Sequence, residues 1–115
     1  MDISNDQARL QIDVIHRFLS SQSTWAIGIP REVVERSIVN SLCFGGYENN
    51  QQIAFARVVS DYASFAYLMD VFVLPEHRGR GLSLQLMRAV IAHPQLQGLR
   101  RFMLASSNAR GLYQH

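Results

Sequence analysis

The stretch VLPEHRGRGLSLQLM, residues 73–87, leaves an apolar run, turns at a proline, sets two arginines and two glycines within four residues, and then begins an apolar helix. A helix start exposes backbone N–H groups that lack intrahelical partners, and the aligned peptide dipoles add partial positive charge there. Gly79 and Gly81 remove Cβ atoms that would hold an anion off the backbone, and they permit the turn in which successive N–H groups converge. Arg78 and Arg80 add formal charge. Taken alone, the run fits an anion-binding turn and a solvated turn equally well, so its neighbours decide.

Working upstream, residues 65–74, FAYLMDVFVL, are apolar at every position but Asp70 and read as a central strand covered on both faces. Before it, residues 42–47 and 52–60 read as the two strands of a hairpin closed by the polar turn 48–51, and 61–64 form a second turn. Residues 6–20 carry Leu10, Val14 and Phe18 at four-residue spacing with Ile15 and Leu19 beside them, the stripe of an amphipathic helix that Asn5 or Asp6 would cap. A shorter helix is expected from Pro30 through Val33, Val34 and Ile38 to Asn40. Downstream, Leu82, Leu86, Ala89 and Val90 mark a helix that Pro94 stops; a strand at 101–105 and a helical turn from Ala109 follow. Two strands joined through one helix form a crossover unit and run parallel. The expected fold class is α/β, with a mixed sheet.

The chain has 115 residues, 48% hydrophobic and 17% charged, which suits one globular domain spanning 1–115. Eleven basic against nine acidic residues give a net charge of +2, so nucleic acid is not an expected partner. Cys43 is the single cysteine and cannot form an intramolecular disulfide; a reducing, cytoplasmic setting is expected. The first residues are acidic and lack a long apolar core, and no apolar run reaches bilayer length, so neither a secretory signal nor a membrane partner is expected. His16, His77, His93 and His115 are dispersed, and no metal site is expected.

The strand, proline, R-x-x-G-x run and amphipathic helix, taken in order, resemble the central motif of the GCN5-related N-acetyltransferase (GNAT) superfamily, with Arg78, Gly81 and Ser83 at its three defined positions. Ser83 stands where the family has Gly or Ala, and it is small enough to let the backbone approach. The segment SSNARGLYQH is similar to the family's stretch in which an Asn and a Tyr flank the end of the coenzyme. The resemblance implies acetyl-coenzyme A as cosubstrate, its pyrophosphate on Arg78, Gly79, Arg80, Gly81, Leu82 and Ser83. It further implies a pantetheine arm laid along the strand at Val71, Phe72 and Val73, and Asn108 near that arm or capping the turn that follows.

By the same resemblance, Tyr113 is the acid that protonates the departing thiolate. Asp70, a lone carboxylate in an apolar strand, is the residue to consider as base; an ion pair with an arginine such as Arg57 is the competing role. The acceptor, a small-molecule or peptide amine, is expected against the first two helices and the hairpin. Among the aromatic residues there, Trp25 is the exposed one, while Phe44, Tyr47 and Tyr62 suit the core better. The family continues beyond the tyrosine segment with strands that this sequence lacks. A C-terminally truncated form of the fold is therefore expected, either a homodimer joined through the strand at 101–105 or a non-catalytic acyl-CoA-binding domain.

Overall fold

The computed structural model describes residues 1–104, in which three helices flank one five-stranded sheet. The strands are β1 (Asp2–Ser4), β2 (Leu42–Glu48), β3 (Gln51–Ser60), β4 (Phe65–Val73) and β5 (Arg101–Leu104), and they lie in chain order across the sheet. Every pairing is antiparallel except that of β4 with β5, which is parallel as the crossover rule requires. The helices are α1 (Ile12–Ser21), α2 (Arg31–Val39) and α3 (Leu82–Ala92). This is the mixed α/β architecture expected.

The layers follow from the apolar stripes. Leu82, Leu86, Met87 and Val90 of α3 pack on Phe44, Ala56, Val58, Ala66 and Leu68 of one sheet face. Ile15, Phe18 and Leu19 of α1 and Val34 and Ile38 of α2 cover Cys43, Phe55 and Phe72 on the other. Each large side chain removed from water contributes roughly 2 kcal/mol, so both helical layers are bound to the sheet chiefly by apolar burial. Turn chemistry sets the register. Asn49 and Asn50 both take positive φ, as a two-residue hairpin connection demands. Asp61 accepts backbone N–H bonds from Ala63, Ser64 and Phe65, which turns the chain from β3 into β4.

Three features depart from the sequence reading. The first helix does not begin at Asp6: that carboxylate caps a 3₁₀ turn at Gln7–Arg9, and the helix starts afresh at Ile12. The break has a tertiary cause. Gln11 N–H donates to the buried Gln52 Oε1 at 2.7 Å, while Gln11 Oε1 accepts from Gln52 N–H at 3.1 Å, and this exchange holds the backbone out of helical geometry. Strand β1 was unmarked because three residues are too few to show a period. Finally, β4 is less completely covered than its composition suggests, since Phe65, Tyr67 and Met69 are half-buried and belong to neither apolar layer. Residues 105–115, with Asn108, Tyr113 and the expected last helical turn, lie outside the described residues.

Candidate functional site

The site starts from an irregularity in β4. Arg57 pairs with Met69 and Phe55 with Phe72, so Asp70 and Val71 together stand opposite Ala56. This is a β-bulge, and Asp70 takes φ of 57°, a conformation that strains a non-glycine residue by about 1 kcal/mol. The extra residue shifts the alternation of the strand. Leu68 faces α3, and after the bulge Val71 and Val73 do so as well, while Phe72 faces α1. β5 pairs with β4 only from Phe65 to Leu68. Among the described residues, β4 therefore has an unpaired edge from Met69 onward, with backbone groups free for an extended ligand.

Asp70 is braced. Its Oδ2 accepts from Arg57 Nε at 2.9 Å and its Oδ1 from Trp25 Nε1 at 3.0 Å, while Arg57 Nη1 donates to Ser41 Oγ at 3.1 Å. The Asp70 and Arg57 side chains are only 11% and 12% exposed, so each compensates the other's charge in a poorly solvated place. The ion pair with Arg57 weighed in the sequence is present. Trp25 reaches Asp70 from the α1–α2 connection, across 45 residues of sequence.

After β4 a 3₁₀ turn, Pro75–His77, leads into the glycine loop. Arg78 Nε donates to Val73 O at 3.0 Å, folding the loop back over the end of the strand. Gly79 and Gly81 have φ of 80° and 73°, and among the described residues a Cβ at either would meet no atom within 4 Å. Gly81 is also the N-cap of α3, and no side chain caps that helix. Unpartnered N–H groups at an uncapped helix start, beside two left-handed glycines, fit an anionic group such as a pyrophosphate.

A cavity of about 680 Å³ opens between this loop and the α1–α2 connection. Of the residues singled out in the sequence, Val71, Phe72, Val73, Arg78, Gly79, Gly81, Leu82 and Ser83 line it. Arg80 does not. Its guanidinium makes a two-pronged contact with Glu48 at the hairpin, at 3.0 and 2.5 Å, and this hydrogen bonding holds the Glu48 carboxyl below its usual range. Phe18, Gln22, Thr24 and His77 also line the cavity but carried no signal: Phe18 belongs to an ordinary core stripe, and the others sit in polar stretches. Trp25 lines it as expected. Phe44 and Tyr47 are buried, and Tyr62 is an exposed residue of the turn after β3. Burial pushes the Cys43 thiol up to about 12, which leaves it unreactive at neutral pH.

Among the described residues no helix is long and apolar enough to cross a membrane, and no three His, Cys, Asp or Glu side chains are grouped to hold a metal ion.

The sequence profile of the Acetyltransferase (GNAT) family matches residues 12–115. FG08082 of Gibberella zeae, named as a candidate acetyltransferase, is 32% identical over 133 residues, covering 96% of this chain and 74% of that protein. A crystal structure from Xanthomonas campestris pv. campestris, described as a candidate GNAT-family acetyltransferase, is 62% identical with a TM-score of 0.94. That match covers 98% of this chain and 80% of the other. A GNAT-family acetyltransferase of Elizabethkingia anophelis, solved with acetyl-CoA bound, shares the fold at 16% identity and a TM-score of 0.69, covering 98% of this chain and 72% of that one. The sheet order, the bulged β4, the glycine loop and these matches agree: the chain belongs to the GNAT acetyltransferase family.

Proposed function

We propose that this protein is a cytoplasmic N-acetyltransferase that moves the acetyl group of acetyl-coenzyme A to a primary amine. The observation that carries the reading is the glycine loop at the cavity mouth, where Gly79, Gly81 and the start of α3 lie beside the edge of β4 that no described strand covers. Arg78 and the backbone of residues 79–83 hold the pyrophosphate, and the edge at Val71, Phe72 and Val73 takes the pantetheine arm. Arg80 assists from a distance by tying the loop to Glu48 on the hairpin.

The bound thioester supplies an activated acyl carbon. A neutral amine nitrogen attacks that carbon, the C–S bond breaks, the nitrogen loses one proton to water as the amide forms, and the thiolate takes up one proton. In this reading a backbone N–H of the β4 edge at residues 71–73 stabilises negative charge on the carbonyl oxygen. Tyr113 is proposed as the proton donor and Asn108 as a contact of the pantetheine arm, both on the family resemblance. Asp70 was considered as base; the Arg57–Asp70–Trp25 arrangement instead supports it as a brace of the bulge.

Calorimetric titration with acetyl-CoA tests the reading. Saturable binding is expected, with thermal stabilisation that rises with ligand concentration. Gly81→Glu abolishes both, by placing bulk and negative charge in the loop. In an assay of CoA release over an amine panel, Tyr113→Phe lowers kcat while leaving acetyl-CoA affinity nearly unchanged. Absence of coenzyme binding by the intact chain overturns the proposal; tight binding with no turnover on any amine favours a non-catalytic acyl-CoA-binding protein.

A further inference from the structure

Opposite the glycine loop the cavity is lined by Trp25 of the α1–α2 connection together with Phe18 and Phe72. Phe18 and Phe72 stack with ring centroids 4.1 Å apart and planes at 17°, and Phe18 tilts against Trp25 at 6.2 Å. Those two phenylalanines are buried, whereas Trp25 is 43% exposed and presents surface to the cavity. An indole has one hydrogen-bonding group, its N–H donor. In Trp25 that donor is committed to Asp70 Oδ1, so only ring surface is left for a ligand.

The wall is also pre-formed. Ser23 Oγ donates to Leu19 O at 2.6 Å and accepts from Ala26 N–H at 3.0 Å, and Gly28 N–H donates to Ser20 O at 2.9 Å. The connection between α1 and α2 is thereby pinned to the last turn of α1, and the Asp70 contact fixes the ring from the other side. An immobile aromatic surface binds a flat apolar group at low cost in conformational entropy.

Charge sets the second condition. The ionisable residues lining the cavity are His77 and Arg78, both on the coenzyme side, and no carboxylate lines it among the described residues. Asp70, just behind Trp25, is compensated by Arg57. A second positive charge on an acceptor therefore finds no partner among the described residues of this wall and pays its desolvation uncompensated.

Building on the acetyltransferase reading, we infer that the acceptor is a primary amine carried on a flat apolar or aromatic body without a second cation, and that Trp25 is the residue selecting it. Polyamines and other polycations are disfavoured, and small hydrophilic monoamines bind weakly because they leave the ring surface wet.

Trp25 is the only tryptophan in the chain, so intrinsic fluorescence reports on the wall directly. The protein, saturated with CoA to prevent turnover, is titrated with 2-phenylethylamine, ethanolamine and spermidine, reading fluorescence and heat. Phenylethylamine is expected to bind at least about tenfold more tightly than either of the others and to change the fluorescence saturably. By calorimetry, Trp25→Ala weakens phenylethylamine about tenfold, Trp25→Phe weakens it less than threefold, and CoA affinity stays within twofold in both. Spermidine or ethanolamine binding as tightly as phenylethylamine overturns the inference, as does a Trp25→Ala protein that binds phenylethylamine normally. The two readings fail separately: coenzyme binding without phenylethylamine binding removes only the acceptor class, whereas phenylethylamine binding on Trp25 without coenzyme binding removes the acetyltransferase reading and leaves the wall standing.

Discussion

Under α3 the sheet buries Phe44, Ala56, Val58, Ala66 and Leu68 against Leu86 and Val90, and every buried member of that layer is apolar. Under α1 and α2 the same strands bury Gln52 and hold Arg57 and Asp70 nearly out of solvent, with Ser41 and Trp25 completing the chain of contacts. The first face gains stability from area alone. The second carries polar groups that are costly unless partnered, and each of them fixes something: Gln52 the start of α1, Asp70 the bulge and the orientation of Trp25. The cavity opens beside the second face, where geometry has been specified at some expense of stability.

The largest expected effect lies on the apolar face. Leu86→Ala should lower stability by about 3 kcal/mol through lost burial and an unfilled cavity, shifting the melting temperature by roughly 10–15 °C. Its affinity for acetyl-CoA, measured below the transition, should be unchanged; a matching fall in affinity would show that the two faces are not separate. Asp70→Ala comes next, at roughly 3 kcal/mol or slightly less, because Arg57 is left buried without its counter-charge. Adding Arg57→Leu to Asp70→Ala, which removes the unpaired buried charge, should recover most of the loss in urea unfolding, which a catalytic base would not predict. If Asp70→Asn instead keeps full stability and abolishes the pH dependence of the rate, the bracing role is wrong.

A smaller effect concerns acid. Asp61 is held well below its ordinary value of 3.8, chiefly by the Ser64 hydroxyl and then by the backbone N–H groups it accepts. A carboxylate whose folded pKa is depressed contributes stability that is fully present above the unfolded value and is lost as pH falls through the folded one. Stability should thus decline below about pH 4, and Asp61→Asn should shallow that decline in melting curves taken between pH 2 and 5. Least in energy but most direct as a probe is Cys43, buried on the α1–α2 face with its thiol raised to about 12. Thiol-reagent labelling of the native chain should be slow. Asp70→Ala should accelerate it more than an equally destabilising change beneath α3, and equal acceleration would mean that the faces open together.

Much of the architecture was legible because it is written in local patterns. The four-residue spacing through Phe18, the proline at the start of α2, the two turns around β3 and the helix after Gly81 each need only a few consecutive residues to be recognised. The cavity-lining loop residues were legible for the same reason, since glycine at positive φ and an uncapped helix start follow from residue type and order. Phe18, Gln22 and Thr24 were not, because a residue at the end of a helix lines a cavity only when another part of the chain forms the opposite wall.

The sequence by itself determined the order of elements from α1 to β5, the parallel crossover between β4 and β5, the glycine turn ahead of α3 and the family. Tertiary structure alone decided that Asp70 pairs with Arg57 and Trp25, that Arg80 leaves the cavity for Glu48, and that the first helix breaks at Gln11 to meet Gln52. These partners lie between 13 and 45 residues apart. Local periodicity reports which way a side chain points relative to its own element, but partners at such separations depend on strand register. A single bulge in β4 is enough to move a carboxylate from one face of the sheet to the other.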